Sequence, residues 1–248
     1  MFEVTDAAYD NFMGRFSMPL AAVFADFAGI ESGRRVVDVG AGTGALTIEL
    51  IRRGATVAAA DPSPPFAASL RARFPEVDVR EAPAEALPWP DASFDAALAQ
   101  LVITFMKDAP AGIAEMRRVV RPGGTVAVCM WDRDGMEMLG AINRTQATLD
   151  PTRPTPEQLT TYRTREDIAQ LLGDGVELEL LEVEAGYESF EELWDSVVDG
   201  AGPAGAWAKS LDSAGREAAH AELHRQVGEP DGPFTLAGRA WAARVTPA

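Results

Sequence analysis

Val36, Val37, Asp38 and Val39 form a short β-branched run that stops at Gly40-Ala41-Gly42-Thr43-Gly44, and Leu46 and Leu50 then recur at helical spacing as far as Gly54. A strand, a glycine turn and a helix in that order open a βαβ unit. This is the most constraining stretch of the chain, because parallel strands need crossover connections and those connections are usually helices. The rest of the first 130 residues has to be read for whether the alternation continues.

It does. Thr56 to Ala60 reads as a second strand, Phe66 to Phe74 as a helix, Val77 to Glu81 as a third strand and Phe94 to Gln100 as a fourth. Ile113, Met116 and Val120 lie on one stripe of a helix that Arg121-Pro122-Gly123-Gly124 cannot continue, and Thr125 to Met130 reads as a fifth strand. The implied class is α/β: a doubly wound, Rossmann-like, mostly parallel sheet of seven strands with helices on both faces. In such sheets ligands lie beyond the carboxyl ends of the strands.

Leu20, Val23, Phe24 and Phe27 sit at i, i+3, i+4 and i+7, which predicts an amphipathic helix ended by Gly29. Residues 132–164 read as a loop-rich insertion with short helices, one of them starting at Thr155-Pro156-Glu157-Gln158. Ile168, Leu171 and Leu172 mark a helix stopped by Gly173, and V-E-L-E-L-L-E-V-E from Val176 is a strand whose alternation slips at Leu180-Leu181. Ser189-x-x-Glu192 is a capping box, a further helix runs from Ser213 to Val227, and Ala240 to Val245 is the last strand. The expected organisation is a helical cap over 1–30, a core over 31–131, the insertion over 132–164, core again over 165–185, a helical lid over 186–238 and a final core strand over 239–248.

Composition narrows the function. Lys and Arg number 22 against 38 Asp and Glu, a formal charge of -16, and such a surface repels phosphodiester backbones, so nucleic acid is a poor partner. Cys129 is the single cysteine, which excludes an internal disulfide framework or a cysteine-based metal site and fits a reducing, cytoplasmic setting. The sequence contains no secretion signal pattern and no apolar stretch of the roughly 18 residues that a membrane span needs. Oligomeric state, monomer or homodimer, is not legible.

Glycines at the first strand-to-helix turn let a ligand approach the backbone closely. Asp61 ends the second strand about twenty residues later, where a carboxylate can accept from both hydroxyls of a ribose. A nucleoside-containing cofactor fits both features, although Asp61 before Pro62 also reads as a plain turn residue. The spacing G-x-G-x-G lacks the third glycine of the dinucleotide pattern G-x-G-x-x-G but keeps, at Ala45, the alanine that the pattern permits, so a nicotinamide reading is weakened and stays open.

V-V-D-V-G-A-G-T-G resembles motif I of class I S-adenosylmethionine-dependent methyltransferases, in the subgroup related to ubiquinone/menaquinone biosynthesis (methyltransferase type 11). Glu85-Ala86-Leu87-Pro88-Trp89-Pro90-Asp91-Ala92-Ser93-Phe94-Asp95 and Glu115-Met116-Arg117-Arg118-Val119-Val120-Arg121-Pro122-Gly123-Gly124 resemble two further stretches of that family, in the right order and spacing. The resemblance covers about residues 9 to 130 well. It implies S-adenosylmethionine as cofactor and S-adenosylhomocysteine as product. Gly40, Ala41 and Gly42 would face the methionine and ribose part, Asp38 would orient the loop or the amino group, Asp61 with Pro62 would hold the ribose side, and Gln100 would meet the amino-acid end. Pro83 stands where the family often has an Asp for the adenine amino group, so Ala84 and Glu85 would take more of that contact. Tyr9 and Asn11-Phe12-Met13-Gly14-Arg15-Phe16-Ser17 resemble a segment that folds over the cofactor, with Arg15 placed to pair with its carboxylate. Asp38 keeps a second reading, as an acceptor that stabilises the turn.

No catalytic residue and no metal ligand set is assigned. His220 and His224 lie four apart, which permits a shared face, but their polar neighbours Arg216, Glu217, Glu222 and Arg225 favour a solvated helix. Phe12, Phe16, Phe105, Trp131, Met136, Met138, Trp194 and Trp207 fit either an apolar pocket for an aromatic acceptor or ordinary core. The expected activity is methyl transfer to an O, C or N atom of a small organic acceptor. The competing readings are a protein of this fold that binds the cofactor but catalyses another reaction, an NAD(P)-dependent oxidoreductase, and a methyltransferase acting on protein or nucleic acid.

Overall fold

The computed structural model describes residues 10–152, 161–200 and 202–247. Its strands are β1 (Arg35–Val39), β2 (Thr56–Asp61), β3 (Asp78–Glu81), β4 (Phe94–Gln100), β5 (Val120–Met136), β6 (Glu177–Tyr187) and β7 (Phe234–Val245), joined in one sheet in the order β3-β2-β1-β4-β5-β7-β6. The pairs β1–β2, β2–β3, β1–β4 and β4–β5 are all parallel. Strand order grows outward one way from β1 to β3 and the other way from β4 to β5. Because crossovers are right-handed, this reversal puts the connecting helices of the two halves on opposite faces.

The helices are α1 (Arg15–Phe27), α2 (Ala45–Arg52), α3 (Pro64–Arg73), α4 (Ala109–Val119), α5 (Glu137–Leu149), α6 (Arg165–Leu172), α7 (Phe190–Asp199), α8 (Gly202–Ser210) and α9 (Ser213–Gln226), with a π turn at Asp10–Gly14 and a single 3-10 turn at Ile103–Phe105. The chain divides into two compact units. One holds Ser17–Asp132, Thr161–Leu181 and Arg239–Ala248, and the other Met1–Phe16, Arg133–Thr160 and Glu182–Gly238.

In the first unit α2 packs on β1 and β2, α3 on β2 and β3, and α4 on β4 and α6. Alternate strand residues face opposite ways, so Val37, Val39, Ala58, Ala60, Ala97, Ala99, Val126 and Val128 form one floor, against which Ile113 and Met116 of α4 and Ile168 and Leu172 of α6 pack. Val36, Ala59, Ala96, Leu98, Ala127 and Cys129, on the other face, are equally buried. With both faces covered, the strands read as near-continuous small or branched apolar runs. Gly124 is required by contact: a Cβ there would lie 2.5 Å from the Asp95 carbonyl oxygen.

In the second unit α5 packs on α9, and α7 on α8 and on the π turn. The capping box forms at α7 in a shifted version, its return bond reaching the residue before the N-cap Ser189. Ser189 Oγ accepts from Glu192 N at 3.3 Å, and the Glu192 carboxylate reaches back to Glu188 N at 2.7 Å.

Several expectations change. Residues 132–164 are not loop-rich where described, since β5 runs to Met136 and α5 follows at once for 13 residues; Thr155 to Gln158 lie outside the described residues. Within the segment expected as a helical lid, α8 is a helix that no sequence pattern singled out; Pro203 fits its first turn, where the missing donor would be unbonded in any case. Burial along β6 changes phase between Leu180 and Leu181, as its sequence implied. Met116 is fully buried between α4 and the sheet, so Met116→Ala is expected to cost about 2 to 5 kcal/mol of stability, measured as a lowered urea midpoint with an unchanged slope.

Candidate functional site

Neighbouring strands that turn away in opposite directions open a crevice at their carboxyl ends, and here those strands are β1 and β4. The β1 end carries the glycine turn. Gly40 donates its N–H to Ala60 O at 2.8 Å, and Ala41 does the same at 3.1 Å, so the turn is fastened to β2. Gly40 has φ +74°, and a Cβ on it would sit 2.7 Å from Val102 Cγ1, so backbone conformation and the close approach of the β4 exit both demand glycine. Gly42, at φ +54°, meets nothing within 4 Å of a built Cβ: its surroundings are open.

Asp61 closes this turn from β2. Its Oδ2 accepts from Gly42 N at 2.9 Å and its Oδ1 from Ser63 N at 2.8 Å. Burial raises its pKa, and these two backbone donors work against that rise. A carboxylate offers about four lone-pair sites, so two remain for a ligand. The turn-residue reading and the ligand reading thus coexist in one side chain. Pro62 follows it, exposed.

Asp38 is 1% exposed within the otherwise apolar β1, and Thr47 Oγ of α2 donates to its Oδ2 at 2.6 Å. Burial pushes its carboxyl up to about 7; the Thr47 hydrogen bond lowers it and nearby Asp61 adds to the rise. Asp38 fits both a loop acceptor and a ligand in the sequence; its partner in the structure is the first turn of α2, through Thr47, a residue that no sequence pattern singles out.

Gln100 ends β4. Its Nε2 donates to Ser17 O of α1 at 2.9 Å, which fixes the amide orientation. Gln100 Oε1 and Ser17 Oγ are buried with no hydrogen-bond partner among the described residues. Such an unmatched group costs about 1 to 3 kcal/mol, so each demands a reason. The next residue, Leu101, holds φ +63°, a left-handed conformation that costs a non-glycine residue about 1 to 2 kcal/mol. Strain of this kind collects where a site dictates the backbone.

The loop after β3 carries Ala84, which is buried, and Glu85, whose Oε1 accepts from Asp108 N at 3.0 Å, the N-cap residue of α4. Arg118 holds the rest of this loop. Its guanidinium donates to Leu87 O, Trp89 O and Asp91 Oδ1 at 2.8 to 2.9 Å, and doubly to Glu115, whose Oε2 in turn accepts from Leu87 N. The E-A-L-P-W-P-D and E-M-R-R stretches are therefore two halves of one clamp. Sequence reasoning recognised both as signatures without seeing that Arg118 connects them.

The structure therefore gathers Asp38, Gly40, Ala41, Gly42, Asp61, Pro62 and Gln100 at the ends of β1, β2 and β4, with Ala84 and Glu85 on the loop that follows β3. Arg15 is different. Its guanidinium donates to Asn11 O and Gly186 O, pairs with Glu192 and lies over the Tyr187 ring, so its partners among the described residues all belong to the helical unit. Tyr9 lies outside the described residues.

The histidines correct an expectation. His220 and His224 are half-buried rather than solvated, both rings contact Phe190, and His220 also packs on Trp194 and bonds Glu191. A cavity of about 560 Å³ in this unit is lined by Trp194, Asp212, Arg216, Glu217 and His220, and it contains none of the glycine-turn residues. Of the aromatic and methionine side chains that could have lined an apolar pocket, Phe12, Phe16, Trp131, Met136, Met138, Trp194 and Trp207 are buried, whereas Phe105 is 73% exposed. Among the described residues no group of three or more His, Cys, Asp or Glu could hold a metal ion, and no helix is long and apolar enough to cross a membrane.

Residues 37–128 match the family described as a methyltransferase domain. An uncharacterized protein of Mycobacterium tuberculosis is 34% identical over 168 residues, which cover 64% of this chain and 59% of that protein. An uncharacterized methyltransferase of the same species is 37% identical over 163 residues, covering 63% and 64%. The chain thus spans less than two thirds of the length of these curated relatives. A solved structure of a candidate methyltransferase from an antibiotic biosynthesis pathway of Anabaena variabilis shares the fold, with TM-score 0.64 and 17% identity over 92% of this chain and 97% of that one.

Asp38 titrates in a useful range. In the folded chain it keeps its proton up to about pH 7, whereas an unfolded aspartate, at 3.8, has already lost it. The folded state binds more protons across that interval, so stability at this site falls as pH rises through it. Asp38→Asn, neutral throughout, is expected to melt near wild type at the acid end and several degrees above it beyond neutrality, by calorimetry across the pH range.

Proposed function

We propose, from the match of residues 37–128 to the family described as a methyltransferase domain and from the resemblance to the class I S-adenosylmethionine-dependent enzymes, that this chain transfers a methyl group from S-adenosylmethionine to an O, C or N atom of a small organic acceptor. One observation carries the reading: the open, left-handed Gly42, tied by its N–H to the strand-end carboxylate Asp61, at the point where strand order reverses. The residues fit the group. A ligand can approach the backbone where a side chain would otherwise stand, and Asp61 keeps lone pairs for two ribose hydroxyls.

When bound, S-adenosylmethionine would supply an already activated sulfonium methyl: the acceptor atom would form its bond to that carbon as the carbon–sulfur bond breaks and the electron pair returns to sulfur, leaving S-adenosylhomocysteine. The chain's own work is to bind and orient. Gly40, Ala41 and Gly42 present the turn to the methionine and ribose part, Asp61 and Pro62 hold the ribose side, Ala84 and Glu85 border the adenine, and Gln100 meets the amino-acid end. Asp38 acts through the turn, by fixing the start of α2. Holding a nucleophile in line with the breaking bond supplies on the order of 7 to 11 kcal/mol without a metal. The acidic balance, 38 carboxylates to 22 basic residues, supports a small acceptor over nucleic acid.

Isothermal titration with S-adenosylmethionine, S-adenosylhomocysteine and NADH tests the cofactor. Both sulfur nucleosides are expected to bind and NADH is not; Asp61→Ala is expected to weaken the two nucleosides by about tenfold or more, through loss of charge-assisted hydrogen bonds. Binding of NADH alone overturns the assignment. Binding of the nucleosides with no methylated product across an acceptor panel favours a protein of this fold with a different reaction.

A further inference from the structure

Two buried polar atoms remain unmatched at the end of β4: Gln100 Oε1 and Ser17 Oγ, in residues only 9% and 3% exposed. They do not lie in unrelated places, because Gln100 Nε2 donates directly to Ser17 O at 2.9 Å. That bond commits one end of the amide, so the atom left over is an acceptor and not a donor. The neighbouring hydroxyl can donate. β1 and β4 pair with Asp38 opposite Leu98, and extending this parallel register by two residues sets Gln100 level with Gly40. The unmatched pair therefore belongs to the same strand-end crevice as the glycine turn, beside the strained Leu101.

We propose that Ser17 and Gln100 form the subsite for the zwitterionic amino-acid end of S-adenosylmethionine, with Ser17 Oγ–H donating to its carboxylate and Gln100 Oε1 accepting from its ammonium. The proposal rests on the cofactor reading above and adds Ser17, a residue of α1, together with the division of labour between the two. A neutral donor beside a neutral acceptor suits a ligand end that carries both charges and no net charge. A single cation would suit the carboxylate alone, and the cation that the sequence offered, Arg15, is already engaged by Glu192, Asn11 and Gly186. Ser17 thus ties cofactor binding to the position of α1.

The test compares S-adenosylhomocysteine with 5′-methylthioadenosine, which keeps the nucleoside and sulfur but lacks the amino-acid end. In titration calorimetry Ser17→Ala is expected to weaken S-adenosylhomocysteine on the order of threefold to tenfold and to leave 5′-methylthioadenosine within twofold of wild type. Gln100→Leu is expected to give the same selective loss, at least as large. Because Ser17→Ala removes an unmatched buried hydroxyl, the ligand-free variant is expected to melt no lower than wild type, so that stability holds while affinity falls. Equal weakening of both nucleosides, or no weakening of S-adenosylhomocysteine, overturns the subsite while leaving the cofactor reading intact. A wild-type protein that binds neither nucleoside overturns that reading, and the subsite with it.

Discussion

Burying both faces of a parallel sheet removes the strand interiors from chemistry. Val36, Val37, Ala59, Ala60, Ala96 to Ala99 and Val126 to Cys129 are all closed off from water, and a polar group placed among them must bring its own partner or give up its charge. Asp38 does both: it takes the Thr47 hydroxyl and holds its proton to near neutrality. The other polar residues of β1, β2 and β4 lie toward their ends, with Arg35, Thr56 and Asp95 at the amino side and Asp61 and Gln100 at the carboxyl side. The reversal between β1 and β4 then decides which of those ends lie side by side without a helix between them.

From that constraint the site follows almost residue by residue. The glycine turn can face a ligand only because Ala60 and Asp61 of β2 accept its amides, so the scaffold for ligand approach is main-chain hydrogen bonding rather than side-chain packing. The β4 exit is shaped against it, with Val102 filling the space that a side chain at position 40 would need. Gln100, two residues earlier at the end of β4, is left with its amide oxygen unmatched. Domain likeness, strand-end geometry and residual hydrogen-bonding capacity all point to the same edge.

Much of this was legible in the chain itself. Strand positions followed from β-branched and alanine runs bounded by glycine, because a strand buried on both faces leaves little choice of residue; β4 was placed to the residue, and β1 and β2 to within one. The glycine turn and Asp61 were legible because their residue types are dictated by backbone conformation and by charge. Long-range side-chain partners were not. Nothing local in Arg15 distinguishes a guanidinium facing a cofactor from one paired with Glu192, 177 residues away. Thr47 and Ser17 are common helix residues, and only the fold shows which acceptor each one faces. The bounds of α5 and α8, inside segments expected to hold helices, were not legible because threonine, glycine and proline lower local helical preference, which tertiary packing overrides.

The loop from Leu87 to Asp91 has no regular structure of its own, yet Arg118 and Glu115 bind its carbonyls, one of its amides and its terminal carboxylate from a helix already docked on the sheet. Its shape is therefore settled when the chain folds, not when a ligand arrives. Ala84 and Glu85, at the near end of that segment, stand on a wall that is set in advance, and a ligand bound against it would lose little of the entropy usually spent in ordering a binding loop.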